Sequence, residues 1–414
     1  MKSILGIIIL GAVSVSSHKL DTVYEWKYID YLWDSNAQKE RYIRSGDYDY
    51  ENIVPIDVDK ARDGRVFVTV IRNQGVPASL ATVTERVGPS GPLLRPYPDW
   101  SWYKAGDCDG ITSVYRVAMD ECNKLYVLDT GYIGDNYTCP AQILIFDLGT
   151  DRLIDRIKVP NEYSQNRDGV GKLVTPVLEV NGPNCALESL FMADVNGRGL
   201  VIWNNQRFTR LEARVFDPEK PLANVEIAGE SFELEDSLMG MAVSPKIYEN
   251  EGSDLLFRPF ASRALYAADT RVLARSTYGD TVRYKESSDM MPSQATAMGI
   301  TSRATLIFGL TSDTAIGCWN RYREMNRSQV QIVAQDRTRL QFASGLKVLP
   351  SSRTRAEEEV WVLTNRLQKI MSGSQRYDEV NFRVLKSPVD KLIRGTVCEP
   401  PRNYRPQFHR FVSR

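Results

Sequence analysis

Histidine is nearly absent from this chain of 414 residues, which contains only His18 and His409. A Ser-His-Asp triad and a histidine-ligated zinc site both need this residue, so neither is expected. The sequence also lacks a Walker loop and a glycine-rich fingerprint at a strand–helix junction, and we predict no cofactor. Any acid–base chemistry would therefore depend on aspartate, glutamate, tyrosine or lysine.

Charge of one sign is not in excess either. The chain has 52 Lys and Arg against 52 Asp and Glu, a net charge of +0 and a pI near 6.8. Without a basic stripe or a polybasic run, we predict no nucleic-acid partner and no binding to an anionic membrane. After the N-terminal segment, no run is apolar and long enough to span a bilayer.

The two ends of the chain differ from the rest in composition. Lys2, an apolar run over residues 4–15 and small residues at Ser14, Ser16 and Ser17 predict a secretory signal peptide over residues 1–17. The alternative is a buried first strand or an uncleaved anchor. Residues 400–414 are rich in proline and arginine, which predicts a disordered tail. We therefore expect an extracellular protein with one domain over residues 18–399.

The six cysteines contain no Cys-x-x-Cys pair, which argues against zinc-ribbon and thioredoxin chemistry. An even number of cysteines in a secreted chain favours disulfides, whose pairing the spacing leaves open; buried free thiols are the alternative. Two Asn-x-Ser/Thr sequons, at Asn136 and Asn326, lie in polar, loop-like stretches and predict glycosylation. No metal-ligand motif accompanies them.

Six copies of one strand-like phrase recur along the chain. Each starts with an apolar residue, usually has an aromatic second residue and often ends on an oxygen-bearing one. The copies are residues 66–70, 125–130, 190–194, 265–270, 306–311 and 360–365. Repeats at intervals of roughly 40–75 residues indicate radial or stacked architectures.

Each phrase follows another short apolar strand and precedes two more, as at residues 142–147 and 152–157. Four strands per unit are typical of a propeller blade, and helical periodicity is scarce outside residues 24–45. We therefore predict an all-β fold, a six-bladed β-propeller with four-stranded blades, in which the six phrases are equivalent inner strands. A pair of β-sandwiches would leave the repeated strand pair unexplained.

The repeat would place Asp129, Asp194 and Asp269 at one level, with Thr364, around a central axis. These aspartates are candidate channel carboxylates that could hold calcium or meet a ligand ammonium group. The alternative is that each bonds the amides of the turn after its strand. Residues 57–64 resemble a calcium loop, but their spacing is wrong for an EF-hand, and we interpret them as a hairpin turn.

Several motifs resemble one family in order along the chain. They are EWKYIDY at residues 25–31, SGDYDYEN at 45–52, GITSVYR at 110–116, DECNKLYVLDTG at 120–131, IGCWN at 316–320, SGLKV at 344–348 and VLTNRL at 362–367. Together they resemble the insect yellow / major royal jelly protein family over residues 26–398. The resemblance implies a secreted six-bladed propeller.

Members of that family accompany melanin formation and cuticle pigmentation, are proposed to convert dopachrome, serve as food proteins or bind biogenic amines at one end of the channel. The resemblance places ligand contacts at Asn365 and Ser344, with Phe342 and Thr311 as further candidates. Leu367 stands where amine binders typically carry an aromatic residue. We therefore expect a pocket that is poorer for amines.

The leading hypothesis is a secreted ligand-binding propeller of the yellow type, linked to pigment, cuticle or another extracellular insect matrix. Its ligand would be a catechol, an indoleamine or a sterol-like molecule. One alternative is a dopachrome tautomerase whose catalytic residues the sequence does not identify, and another is a calcium-dependent hydrolase-like propeller. Carboxylates in the channel would favour the enzyme or the metal site, and a mixed apolar and amide pocket would favour binding.

Overall fold

The computed structural model describes residues 19–182, 184–246, 252–350 and 357–401. Six four-stranded antiparallel sheets are arranged around a central channel as a six-bladed β-propeller, which confirms the predicted fold class. The predicted signal peptide, residues 1–17, lies outside the described residues, as does the tail from residue 402 onwards.

In blades 1 to 5 the strands follow one another in the chain from the channel outwards, and blade 6 takes its outermost strand from the N-terminal segment. Blade 1 has Pro55–Lys60, Val66–Val70, Leu80–Gly88 and Gly91–Pro96; blade 2 has Val114–Met119, Lys124–Asp129, Gln142–Asp147 and Arg152–Lys158; blade 3 has Leu173–Asn181, Ala186–Asp194, Gly199–Trp203 and Phe208–Glu212. Blade 4 has Leu238–Val243, Asp254–Pro259, Leu265–Asp269 and Lys285–Ser287; blade 5 has Met298–Ile300, Thr305–Leu310, Ala315–Asn320 and Gln331–Gln335; blade 6 has Ala343–Pro350, Glu358–Thr364, Phe382–Pro388 and Asp21–Trp26.

Short helices and two hairpins lie in the connections. The α-helices are Asn36–Ser45, Asn161–Ser164, Thr270–Arg275, Leu367–Met371 and Val389–Ile393, and the 3-10 helices are Tyr50–Asn52, Trp100–Tyr103, Arg214–Phe216, Lys220–Leu222 and Arg327–Gln329. The hairpins pair Tyr132–Ile133 with Asn136–Tyr137 and Asn224–Ile227 with Glu230–Glu233. Among the described helices, none has the length and apolar character needed to cross a membrane.

The N-terminal strand closes the ring by joining blade 6. Asp21–Trp26 pairs antiparallel with Phe382–Pro388, so that residues from both ends of the chain share one sheet. The helical pattern seen over residues 24–45 divides between this strand and the helix Asn36–Ser45. That helix begins at the N-cap Ser35 and ends at Gly46, whose φ of 75° a glycine adopts without steric cost.

Five of the six phrases are the second strands of their blades, and the innermost strands are the ones that precede them. The copy in blade 4, Leu265–Asp269, is a third strand. The expectation that all six phrases are equivalent inner strands is therefore wrong. An apolar strand that ends on an oxygen-bearing side chain suits any strand that runs into a turn, whatever its place in the blade.

Glycines let the innermost strands of neighbouring blades approach closely. A Cβ atom at Gly240 would lie 3.0 Å from the carbonyl oxygen of Thr296, and one at Gly299 would lie 3.0 Å from Cγ2 of Val348. A Cβ at Gly345 would lie 2.8 Å from Cα of Asp57. Blades 4, 5, 6 and 1 are thus packed backbone to backbone along the channel.

Three disulfides pair all six cysteines, as the even count predicted. Below, the upper face is the one where the innermost strands begin, and the lower face is the one where they end. Cys122–Cys185 joins the lower turns of blades 2 and 3, and Cys108–Cys139 joins two upper connections. Cys318–Cys398 ties the C-terminal segment to blade 5. Such links restrict the unfolded chain and so favour the folded state.

Candidate functional site

A β-bulge or register shift near the upper end of an innermost strand recurs in five blades. An extra residue in one strand of a pair bends that strand and changes where its side chains point. The residues that follow the irregularity occupy corresponding positions in the blades, and together they form a first level of the channel wall. The residues two positions further along each innermost strand form a second level. By register the first level is Asp57, Arg116, Thr175, Gly240, Ala297 and Gly345, and the second is Asp59, Ala118, Val177, Ala242, Gly299 and Lys347.

These levels surround a channel cavity of about 240 Å³. On the side of blades 6, 1 and 2 its lining includes two carboxylates and two cations. On the side of blades 3, 4 and 5 the same levels carry small or apolar residues. The channel therefore has a charged wall that faces an uncharged one.

Lys347 is at the centre of the charged wall. Its Nζ lies 3.0 Å from Oδ2 of Asp57 and 3.8 Å from Oδ2 of Asp59, and it donates a hydrogen bond of 2.6 Å to the carbonyl oxygen of Val117. Both carboxylates are almost completely buried, with exposed fractions of 1% and 2%. Burial raises the pKa of Asp59 to about 6, against the opposing charge of Lys347.

Arg116 supplies the other cation and connects the charged wall to its neighbours. Its Nη2 donates to the carbonyl oxygen of Ser344 at 2.9 Å, and its Nη1 donates to Oγ1 of Thr175 at 3.3 Å. Burial lowers the pKa of this guanidinium, and the charge of Asp57 opposes that change. Two acids and two bases balance this wall of the channel.

The five predicted ligand-binding residues lie at the upper end of blades 5 and 6, and none of them lines this cavity. Asn365 and Thr311 follow second strands, Ser344 is near the start of an innermost strand, and Leu367 starts a helix. Phe342 and Leu367 belong to one apolar cluster, and the backbone nitrogen of Asn365 donates to the backbone carbonyl oxygen of Phe342 at 3.4 Å. The structure thus brings at least these three together.

Unpartnered oxygen atoms mark this upper site. Asn365 is fully buried, and its Nδ2 donates to the carbonyl oxygen of Pro55 at 2.9 Å, but its Oδ1 accepts no hydrogen bond. Oγ1 of Thr311 and Oε1 of the neighbouring Gln368 are also buried and make no hydrogen bond. The hydroxyl of Ser344 makes only a long hydrogen bond, of 3.4 Å, to the carbonyl oxygen of Leu363. Buried acceptors of this kind normally have a donor.

A hairpin covers the upper site. It pairs Asn224–Ile227 with Glu230–Glu233 in the connection from blade 3 to blade 4, and it reaches the helix Leu367–Met371 of blade 6. Glu230 accepts from Oγ of Ser372 at 2.7 Å and lies 3.1 Å from Nζ of Lys369. Hydrogen bonds from Ser374 and Ser372 hold the pKa of Glu230 down at about 2. We call this set of contacts the latch.

Apolar contacts continue from the hairpin into the site. The ring centroid of Phe232 lies 6.3 Å from that of Phe342, which in turn lies 6.1 Å from the ring of Phe260. Leu367 packs half-buried against the same cluster. The upper site therefore combines an apolar floor with a few acceptor oxygens, as small-molecule sites typically do.

Asp129 and Asp194 lie at corresponding strand ends on the upper face, but each is committed to the protein. Asp129 accepts from the amides of Thr112 and Ser113, both at 2.8 Å. Asp194 accepts from the amide of Lys172 at 2.6 Å and from Nη1 of Arg210 at 2.8 Å. Both lie one strand away from the channel and fix the connection that enters their blade.

Asp269 is not at their level. Because it ends a third strand, it lies on the lower face, where it caps the helix Thr270–Arg275 by accepting from the amide of Arg271 at 2.8 Å. Thr364, at the end of a second strand, shares the upper face with Asp129 and Asp194 and donates to the carbonyl oxygen of Arg339. The single level expected from the repeat therefore divides between two faces.

The sequons differ in exposure. Asn136 is exposed in the small hairpin of blade 2. Asn326 is half-buried at the N-cap of a 3-10 helix, where its Oδ1 accepts from the amide of Ser328 and its Nδ2 donates to Glu324. Among the described residues there is no group of three or more His, Cys, Asp or Glu that could hold a metal ion.

Sequence reasoning missed the charged wall. From the sequence, residues 57–64 are interpreted as a hairpin turn, and Lys347 stands only within the motif at residues 344–348. The turn does follow, over residues 61–65, but Asp57 itself lies inside the first strand of blade 1. A charged residue flanked by apolar ones, as in Ile56-Asp57-Val58 and Leu346-Lys347-Val348, was the available signal.

The fold and the channel define a six-bladed propeller with a charged central channel. A family model described as Major royal jelly protein matches residues 112–398. Major royal jelly protein 9 of Apis mellifera is 40% identical over 388 residues, which cover 92% of this chain and 90% of the relative. Major royal jelly protein 1 of the same species is 36% identical over 404 residues, with coverages of 94% and 92%. The chain belongs to the major royal jelly protein family, which confirms the resemblance found in the sequence.

Two solved structures of other proteins are distantly similar to this chain. A luciferin-regenerating enzyme aligns with a TM-score of 0.46 at 9% identity, covering 88% of this chain and 95% of its own. A streptogramin B lyase aligns with a TM-score of 0.41 at 11% identity, with coverages of 81% and 93%. Likenesses at this level carry no argument about the activity of this chain.

Proposed function

We propose that this protein is a secreted binding protein for a small molecule and that the ligand occupies the upper site. The observation that carries the proposal is the group of buried oxygen atoms without hydrogen-bond donors at Asn365, Thr311 and Gln368. A buried acceptor without a partner costs roughly 1–3 kcal/mol, and a ligand that donates to it would remove that cost.

The chemistry of the site limits the chemical classes to which the ligand can belong. Acceptor oxygens call for a hydroxyl or ammonium donor, and the cluster around Phe342 offers an apolar surface for a ring system. A catechol, an indoleamine or a sterol-like molecule has both features. Leu367 offers no aromatic face, so an amine would lose a stacking or cation–π contact of roughly 0.5–2 kcal/mol.

Secretion belongs to the same proposal. Three disulfides are typical of an oxidising compartment, and the sequon at Asn136 is exposed as a glycan requires. A secreted ligand-binding propeller in this family would act in an extracellular insect fluid or matrix, with pigment and cuticle as the candidate settings. Mass spectrometry of secreted material should find a mature terminus near residue 18 and a glycan at Asn136 or Asn326.

Calorimetry with catecholamines, indoleamines and sterols tests the site, after a thermal-shift screen selects the compounds that stabilise the protein. Asn365→Ala should weaken binding at least tenfold, because it removes the central acceptor. Leu367→Phe should strengthen serotonin or dopamine binding by several-fold, since it restores an aromatic face. If Asn365→Ala leaves every detected ligand unaffected, the upper site is not the binding site.

A dopachrome tautomerase is the second candidate, and one observation favours it. Asp59 lines the channel with a pKa raised to about 6, which suits a general base near neutral pH, and Lys347 lies beside it. Tautomerisation moves a proton next to a carbonyl, and such a base could remove it. Dopachrome conversion that is abolished in Asp59→Asn but kept in Asn365→Ala would establish this activity, and no conversion by the unmodified protein would exclude it.

A further inference from the structure

We propose that the channel itself is a second binding site, separate from the upper one, and that it takes a small, neutral, single-ring molecule carrying a vicinal pair of hydroxyl groups. The site lies against the charged wall of Asp57, Asp59, Arg116 and Lys347. The proposal does not rest on the upper site, and its test uses different residues.

One oxygen of the Asp57 carboxylate has no hydrogen-bond donor. The residue is 1% exposed and lines the cavity, and its Oδ1 accepts no hydrogen bond. Lys347 Nζ lies 3.0 Å from Oδ2, which balances the charge and occupies one acceptor position of the carboxylate. A carboxylate has about four such positions, and two neighbouring hydroxyl groups can donate to its two oxygens together.

The cations beside it are already committed. Lys347 donates to the carbonyl oxygen of Val117, and Arg116 donates to the carbonyl oxygen of Ser344 and to Thr175. Both cations thus already bond to the protein, whereas Oδ1 of Asp57 has no donor. A ligand that donates a hydrogen bond to Asp57 satisfies this acceptor, which an anionic ligand cannot do.

The charge balance selects a neutral ligand. Two carboxylates and two cations cancel within one wall, and a ligand with a net charge would add an unbalanced charge beside these buried groups. Because desolvation makes such a charge costly, neutral donors are favoured over an ammonium group. This distinguishes the channel from the upper site, which admits both.

The opposite wall leaves room for one ring. Gly240, Ala242, Ala297 and Gly299 line it, and the glycines are required there for the close approach of neighbouring blades. The cavity of about 240 Å³ is smaller than the ~300–1,000 Å³ of typical drug-sized pockets. A flat or compact ring can therefore lie against the small residues while its hydroxyl groups face Asp57.

Access is from the lower end. Residues that line the channel near the upper face are buried, whereas those near the lower ends of the same strands are half-buried; the latter are Met119, Leu178, Val243, Ile300 and Leu349. The upper end is the one covered by the hairpin and its latch. A ligand of the channel would therefore not pass the upper site.

Calorimetry with two kinds of vicinal diol tests the proposal. One is 4-methylcatechol, an aromatic diol, and the other is myo-inositol, a cyclic polyol, so the result also shows which of these two ligand classes the channel binds. Dopamine, a catechol that carries an ammonium group, is the charged counterpart of 4-methylcatechol. We expect at least one neutral diol to bind and dopamine to bind the channel at least tenfold more weakly than 4-methylcatechol. Dopamine binding in the channel as tightly as 4-methylcatechol would overturn the neutral-ligand assignment.

Three variants locate the binding. Asp57→Asn should weaken binding of the neutral diol at least tenfold by removing the charged acceptor. Ala242→Phe should abolish it by filling the channel, and this variant keeps the test valid if Asp57→Asn folds poorly. Asp155→Asn, on the exposed outer strand of blade 2, should leave it unchanged. Absence of binding by both neutral diols at tens of millimolar, or binding that survives Ala242→Phe, would overturn the channel site.

Discussion

The upper and lower ends of the channel are built from the same repeated strands but are used differently. At the upper end the connections are fixed by buried carboxylates such as Asp129, and a hairpin covers the site around Asn365. At the lower end the channel-lining residues are half-buried, and a disulfide joins the turns of blades 2 and 3. A repeat thus sets the geometry of both ends, while individual side chains decide which end is closed.

We expect the largest effect on stability from a comparison of Asp194 with Asp269, two aspartates that end similar phrases but lie on opposite faces of the propeller. Asp194→Ala should lower the free energy of unfolding by about 3–5 kcal/mol, because it removes the fully buried partner of Arg210 and leaves only Glu212, at the surface, to balance that buried charge. Asp269→Ala, which removes a helix cap and a partly exposed ion pair with Arg271 on the lower face, should cost about 1 kcal/mol. Urea unfolding of both variants measures the difference, and equal losses would show that the two positions are equivalent after all.

Asp59, in the middle of the channel, should make the stability of the protein depend on pH between pH 4 and pH 7. The folded state raises the pKa of Asp59 from 3.8 to about 6, so the folded protein holds this proton more tightly than the unfolded chain does. The stabilisation is complete below about pH 4 and is lost as the pH rises through 6, by about 2–3 kcal/mol.

Asp59→Asn should remove this loss, and the exposed Asp155→Asn on the outer strand of blade 2 should retain it. The free energy of unfolding between pH 4 and pH 7 is the quantity to measure. A slope in Asp59→Asn as steep as in the unmodified protein would contradict the assignment to this carboxyl.

The smallest effect concerns the cover of the upper end. Glu230→Gln weakens the latch to Lys369, and we expect hydrogen exchange of the hairpin amides to accelerate several-fold while global stability changes by less than about 1 kcal/mol. Because the pKa of Glu230 is lowered to about 2, the latch should persist at neutral pH and be lost only as the pH falls from about 4.5 towards 2.

Glu233→Gln, on the exposed side of the same strand, is the matched control and should leave exchange unchanged. If both variants accelerate exchange equally, the hairpin is loosened by any loss of charge, and the latch has no special role.

The blades were predictable because their pattern is local. Strands such as Gln142–Asp147 and Arg152–Lys158 were predicted within one residue, since apolar runs and turn residues lie next to each other in the sequence. The wrong prediction for the phrase in blade 4 has the same origin. A pattern that shows a strand ending at a turn does not show whether that strand is second or third from the axis.

The candidate site was only partly predictable. The resemblance pointed to Asn365, and Thr311 was a further candidate at the same rim; both carry buried oxygens without partners. The ion pair between Lys347 and Asp57 was not foreseen, because almost 300 residues separate its members in the chain and only ring closure brings blade 6 beside blade 1. The same closure places Asp21–Trp26 against Phe382–Pro388.

The sequence by itself determined the strand content, the six-fold repeat and the even number of cysteines, because alternation, turn residues and composition act over a few neighbouring residues. Only the tertiary structure decided which strand of each blade faces the channel, which cysteines pair and which charges meet. Those outcomes depend on contacts between residues far apart in the chain, and such contacts are fixed only when six blades pack into a closed ring.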